Sequence, residues 1–260
     1  DLHSLDRRQR QMCIRDSGSA APHDQYLYIS TPSVSPIGYT ILRPDGTIYD
    51  SGTVSNAASV EVLAAPTNGA LGYAFIDPNE TEQVLTQATN AGFIIEAESE
   101  IYVSFRFNTV PIAFCGNQGC HGGALVSKGT AALGNRFWTG ALELRSNVHI
   151  NFSSIMAVED NTNVTITPPV NVGFLSSAMI PITVTLNAGE SYVVASDGTY
   201  GGIGGITGTL IESNKPIAVS SGGYGSNNQG FTAPDGTPVG GQDYGIDQIV
   251  PAEKVGGEYI

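Results

Sequence analysis

The chain has 260 residues, with 11 Lys and Arg against 24 Asp and Glu, and a formal net charge of −13. Such an acidic chain is repelled by phosphate backbones, which argues against a nucleic-acid partner. A hydrophobic fraction of 41% supports a buried core rather than a disordered chain, and no run of about twenty apolar residues is present to span a membrane as a helix.

The N-terminal stretch does not match the rest. "RRQRQMCIRD", Arg7 to Asp16, is residue for residue one reading frame of a transposon-type sequencing adapter, and the leftover bases fit Asp6 and Ser17. Residues 1–17 are therefore expected to be a sequencing artefact rather than a basic arm, with the chain a fragment of a longer protein. Without them 7 basic and 21 acidic residues remain, a net charge of −14.

From residue 18 onward, strand signals dominate. "YLYIS" (26–30), "GYTIL" (38–42), "GTIYDSG" (46–52) and "ASVEVLA" (58–64) are short, rich in β-branched residues and partly alternating. "PDG" at 44–46 supplies the residues of a tight hairpin between two of them. The stretch "DPNETEQVLTQATNAG" (77–92) is the one helical or looped interruption. "GFIIEAES" (92–99) and "EIYVSFRFN" (100–108) return to strands.

Gly-rich and apolar residues mix in 121–146. Then "SSIMAVED" (153–160), "TNVTITPP" (162–169) and "IPITVTLNAGESYVVAS" (180–196) follow, with Ile182, Val184 and Leu186 in alternation. "VEDNTNVTI" reads as a hairpin. "GFIIEAESEIYVSFRF" and "GTLIESNKPIAVSSGG" share one plan: Gly, strand, polar corner, strand. Gly92 and Gly208, 116 residues apart, would mark a duplication. In "ESNKPI", Pro216 would set φ on entry to the last strand of a strand–turn–strand corner.

The expected class is all-β, as two related β-sandwich-like units with Gly-rich loops. A propeller-like β array is the alternative. The first unit covers 18–112, a connecting segment 113–150, and the second unit 151–260, cut short at its C-terminus.

Cys115 and Cys120 in "FCGNQGCHGG" leave two readings open: a small disulfide ring in an exported protein, or free thiols. Their spacing does not suit haem attachment, and with His121 they are too few for a zinc site.

His23, His121 and His149 belong to no recognisable catalytic motif. "GGIGGITG" (201–208) has dinucleotide-like spacing but leads into a strand pattern, so it reads as a loop. No catalytic residue and no cofactor is assigned. Asp160, Asp243 and Asp247 stand beside amides and could offer oxygen ligands to calcium, although Asp160-Asn161 equally makes an Asx turn. Asp243 and Asp247 could also be a glycosidase carboxylate pair. The irregular segment 221–245 carries Tyr224, Phe231 and Tyr244, and is either a ligand-binding loop or a plain connection.

Five stretches, in order, carry a resemblance: "SKGTAALGNRF" (127–137), "SSIMAVEDNTNVTIT" (153–167), "LNAGESYVVA" (186–195), "GTLIESNKPIAVSSGGYG" (208–225) and "GQDYGIDQIVPAEKVGGEYI" (241–260). Together they resemble the N-terminal domain family of the IgG Fc-binding protein. More closely, they resemble the bacterial branch found in surface proteins of gliding, type IX-secreting bacteria. The resemblance implies a non-enzymatic, secreted or cell-surface, adhesin-like module whose partner is an extracellular protein or glycan. A spacer domain without its own ligand and a carbohydrate-active enzyme are the alternatives.

Overall fold

"RPDG" decides the first hairpin. Pro44 fixes φ at the first corner of the turn, and Gly46 takes the left-handed φ of 82° that closes it. Gly46 N–H donates to Arg43 O at 2.9 Å, and Arg43 N–H to Thr47 O at 2.8 Å. The Asp45 carboxylate accepts from Thr47 N–H (2.9 Å) and Thr47 Oγ1 (2.7 Å). Those two bonds, the hydroxyl's first, hold its pKa below the usual carboxylate range. On either side lie strands β3 (Ile37–Leu42) and β4 (Ile48–Val54).

The computed structural model describes residues 8–11, 25–65, 87–88, 92–108, 122–141, 150–170, 172, 174, 181–197, 205–226 and 243–256. In chain order the other strands are β1 (Arg8–Gln11), β2 (Gln25–Ser30), β5 (Val60–Ala65), β6 (Gln87–Ala88), β7 (Phe93–Ala97), β8 (Tyr102–Asn108) and β9 (Gly122–Val126). They are followed by β10 (Leu133–Trp138), β11 (Ile150–Ala157), β12 (Thr162–Thr167), β13 (Ile182–Leu186), β14 (Ser191–Asp197), β15 (Leu210–Ser226) and β16 (Asp243–Gln248). Among the described residues the only helical turns are two 3-10 segments, Gly129–Ala132 and Ala252–Lys254. The protein is all-β, as its alternating patterns require.

Among the described residues all pairings are antiparallel, in three sheets: β1-β7-β3-β4, β5-β2-β8-β9, and an eight-stranded, nearly closed sheet along the path β13-β12-β15-β11-β14-β6. β10 and β16 join the last of these on β15. The expected propeller-like alternative is not formed: the two four-stranded sheets pack together around one core, and the remaining strands join a single eight-stranded sheet. Of the interruption expected at 77–92, Gln87–Ala88 form a strand against β14 and Gly92 takes a φ of 97°; the rest lies outside the described residues.

The duplication is written into the pairing. Tyr39 lies opposite Ala97 as Val164 lies opposite Ser213. Ile41 faces Asp50 as Ile166 faces Ile182. Leu27 faces both Val62 and Phe105 as Ser153 faces both Val194 and Ser221. Phe105 then faces Leu125 as Ser221 faces Asp247. β7 and β8 thus correspond to the two halves of β15, at the same spacing as Gly92 and Gly208.

Details of the corners repeat too. Gly38 N–H donates to Glu98 Oε2 at 2.9 Å, and Asn163 N–H to Asn214 Oδ1 at 2.7 Å. Ser127 N–H donates to Val103 O and Ile249 N–H to Val219 O, each at 2.9 Å.

Two expectations need correction. "VEDNTNVTI" is not a hairpin: β11 pairs with β14 and β15, β12 pairs with β13 and β15, and the two do not pair with each other. The turn at Asp160-Asn161, with Asn161 at φ 54°, redirects the chain along a shared partner instead. "ESNKPI" is likewise no strand–turn–strand corner but the middle of one 17-residue strand. Pro216 falls where β15 changes partners, between Ser213 opposite Val164 and Ile217 opposite Ala157. The facing strand β10 shifts register there, between Gly134 and Arg136, so no ladder bond is asked of the residue that lacks an N–H.

β9, from the connecting segment, completes the first unit's sheet, while β10 joins the second unit. Arg8–Gln11 lie beside β7, with Arg8 opposite Glu96 as Arg136 is opposite Glu212. An open sheet edge accepts any extended backbone, so this pairing is independent of where those residues come from.

Two large cores result. One fills the space between the first unit's sheets with Leu27, Ile41, Phe93 and Phe105, and takes in Phe152, Val193 and Ala195 from β11 and β14. The other lies inside the eight-stranded sheet and is built on Phe137, Ile155, Ile166, Ile211 and Val219. β11 and β14 therefore bury both faces. Ser153 Oγ and Ser221 Oγ are 3.0 Å apart across the β11–β15 pair, whereas Ser154 Oγ and Ser220 Oγ, on the next pair, are buried without a hydrogen-bond partner.

The units also meet at Gly189. Its φ is +85°, and a Cβ there would lie 2.5 Å from Pro44 O at the tip of the first hairpin. Gly189→Ala is expected to lower stability by more than about 1 kcal/mol, through backbone strain and a clash that separates the units; a thermal melt checks it. Acid should weaken the β3–β4 hairpin. A depressed Asp45 pKa contributes stability above the unfolded pKa, which is lost as pH falls through the folded one. Amide exchange at Thr47 measures this, and Asp45→Asn should flatten the profile.

Candidate functional site

The stretches that carried the family resemblance fold onto one another. Ser127 and Lys128 follow β9, and Gln248 ends β16. Gln248 is buried, and its Oε1 accepts from Lys128 N–H at 2.6 Å and Ser127 Oγ at 3.3 Å. Lys128 Nζ reaches Asp247 Oδ2 at 2.6 Å and also donates to Gln248 O.

One turn further on, Asn135 N–H donates to Glu253 Oε1 at 2.7 Å, and Lys254 Nζ to Thr130 O at 2.9 Å. Gly134 lies so close beneath Pro251 that a Cβ would come within 2.3 Å of the proline Cβ. "SKGTAALGN" and "DQIVPAEK" thus form a clasp.

A second junction joins three loops. Asp160 Oδ1 accepts from Ala188 N–H at 3.0 Å, and Asn187 Oδ1 from Asn161 N–H at 3.3 Å. Lys215 Nζ donates to Asp160 O at 2.5 Å, while Glu190 Oε2 caps Asn187 N–H at 2.6 Å. "VEDNTN", "LNAGE" and "ESNKP" are held together by these bonds.

This places the expected ligand residues. Asp160 is exposed, and its carboxylate accepts from Ala188 N–H on a distant loop, a bond across the junction and not the local one of an Asx turn. Asp247 lies opposite Ser221, exposed and paired with Lys128. Asp243 lies opposite Ser226 at the start of β16. Strand geometry puts the Asp243 and Asp247 backbones about 13 Å apart, wide for a glycosidase pair. Among the described residues no three His, Cys, Asp or Glu side chains come together to hold a metal ion.

Tyr224 and Tyr244 fall on neighbouring strands at the mouth of the β15–β16 connection, one residue beyond the Gly223–Gly245 pair. Phe231, Cys115 and Cys120 lie outside the described residues. No helix among the described residues is long and apolar enough to cross a membrane.

The sequence did not point to Trp138. It is the single tryptophan, 53% exposed, at the end of β10. "FW" at 137–138 is an apolar pair whose members take opposite faces, and the sequence does not say which one is outward.

The clasp separates buried from exposed polar contacts. Gln248→Ala leaves two donors without their acceptor in a closed site and is expected to cost about 1–3 kcal/mol. Asp247→Asn loses only a solvent-screened pair and should stay within about 1 kcal/mol. Urea unfolding of both variants checks the contrast.

Comparison with known proteins agrees with this geometry. No curated protein and no solved structure matches the chain. The family described as IgGFc binding protein matches residues 123–260, a span that begins in β9 and takes in both arms of the clasp, the three-loop junction and Trp138. It covers more than half of the chain, which therefore belongs to the IgGFc binding protein family.

Proposed function

We propose that the chain is a non-enzymatic, adhesin-like binding module of an extracellular surface protein, from the bacterial branch of the family. The family match over residues 123–260 carries this reading. Its candidate contact region is the β15–β16 connection, with Tyr224, Phe231 and Tyr244, at the open end of a two-strand frame. Long connections on a rigid sheet are where binding residues concentrate. The unit boundaries near 18–112 and 151–260, and a disulfide between Cys115 and Cys120, belong to the same extracellular reading.

One observation favours a second reading, a spacer without a ligand: the motif residues Lys128, Asn135, Gln248 and Glu253 are engaged with one another. Deleting part of 227–240 separates the two. The binding module loses attachment to mucin- or matrix-coated surfaces by at least tenfold with an unchanged melting temperature. A spacer shows no attachment in either form. Attachment that survives the deletion intact would refute the loop as contact region.

A further inference from the structure

We propose that the outer face of the β13-β12-β15-β10 layer, centred on Trp138, is a docking surface for a neutral polysaccharide. The proposal rests on the binding-module reading and assigns it a second, chemically defined surface. Register fixes the face. Phe137, Ile211, Ile166 and Ile182 form one row across the four strands, and this row packs into or against the inner core. The rows on either side must therefore point outward. One is Trp138–Leu210–Thr167 and the other Arg136–Glu212–Thr165–Thr183.

The chemistry of these rows is specific. Trp138 is 53% exposed, although an indole gains more from burial than almost any other side chain. It is also supported: the Arg136 guanidinium lies 5.9 Å from its ring centroid, and Arg136 Nε lies 3.6 Å from Glu212 Oε1. The two charges on these rows thus neutralise each other.

Beyond them the surface is hydroxyl and amide. Thr165 Oγ1 and Thr183 Oγ1 are 3.5 Å apart, and Thr185 Oγ1 donates to Asn163 Oδ1 at 2.7 Å. Each such group retains lone pairs for a further partner. A ring platform beside an uncharged field of hydroxyls and amides suits a ligand with apolar C–H faces and hydroxyl edges. The net charge of −13 turns away polyanionic glycans, leaving a neutral polysaccharide.

Because Trp138 is the single tryptophan, its fluorescence reports on this face directly. The full chain would be run in native affinity gels containing hydroxyethylcellulose, xyloglucan, galactomannan or laminarin, in parallel with fluorescence titration. Retardation by at least one of them is expected, with a blue shift of Trp138 emission. Trp138→Ala should weaken that binding at least tenfold with an unchanged melting temperature, and Trp138→Phe should retain part of it. Ser51→Ala, at the position in the first unit that corresponds to Thr183, should have no effect.

No retardation by any of the four overturns the proposal, as does binding that Trp138→Ala leaves intact. So does attachment to coated surfaces that protease treatment removes and glycosidase treatment does not. If wild type attaches to coated surfaces while Trp138→Ala attaches equally, this face is refuted and the binding-module reading stands. If wild type attaches to nothing and binds no polysaccharide, both fail.

Discussion

Backbone hydrogen bonding along β15 is the constraint on which the second unit rests. One 17-residue strand serves β12 and then β11 along one edge, and β10 and then β16 along the other. Every buried amide in those four strands needs an acceptor, and leaving one unmet costs as much as several good contacts return. The strand must therefore change partners without breaking. Pro216, without an N–H, stands at the change, where the facing register slips. Asn214 replaces the missing backbone partner by accepting from Asn163 N–H. The first unit meets the same problem by ending β7 and starting β8 in another sheet, with Glu98 in the place of Asn214.

From this spine the packing follows. β11 lies against β15 and between two cores, so its side chains must suit an apolar neighbour on each face. Phe152 turns to the first unit; Ile155 and Ala157 turn to the second. The units are thus not beads on a string but share a layer. β9 and β16, equivalent strands of the two units, lie side by side, and the clasp between Ser127–Lys128 and Asp247–Gln248 closes over their ends.

Local chemistry was legible in the sequence. "RPDG" gave the first hairpin, the alternation of Ile182, Val184 and Leu186 gave an edge strand with one buried side, and the matched segments "EAES" (96–99) and "ESNK" (212–215) marked a repeat that the registers of the two units follow. Partners distant in sequence were not legible. β11 and β12 look like the arms of a hairpin because only a turn separates them, yet the strand that satisfies both begins at Leu210. "INFSSIMA" does not alternate, because both faces are buried, and its Ser153 bonds across the sheet. Gln248 reads as a surface amide until folding places it over Lys128. Trp138 and Phe137 are adjacent apolar residues, and only the register against Leu210 and Ile211 turns one outward.

The clasp has a mechanical corollary. It ties the residues that enter the family-matched region to those near its last helical turn, with Thr130 and Lys254 in direct contact. Tension between those two points would load these side-chain bonds before it reached any sheet ladder. A stretched chain would then yield first by slackening at this fastening, gaining length and dissipating force while both β cores stay folded.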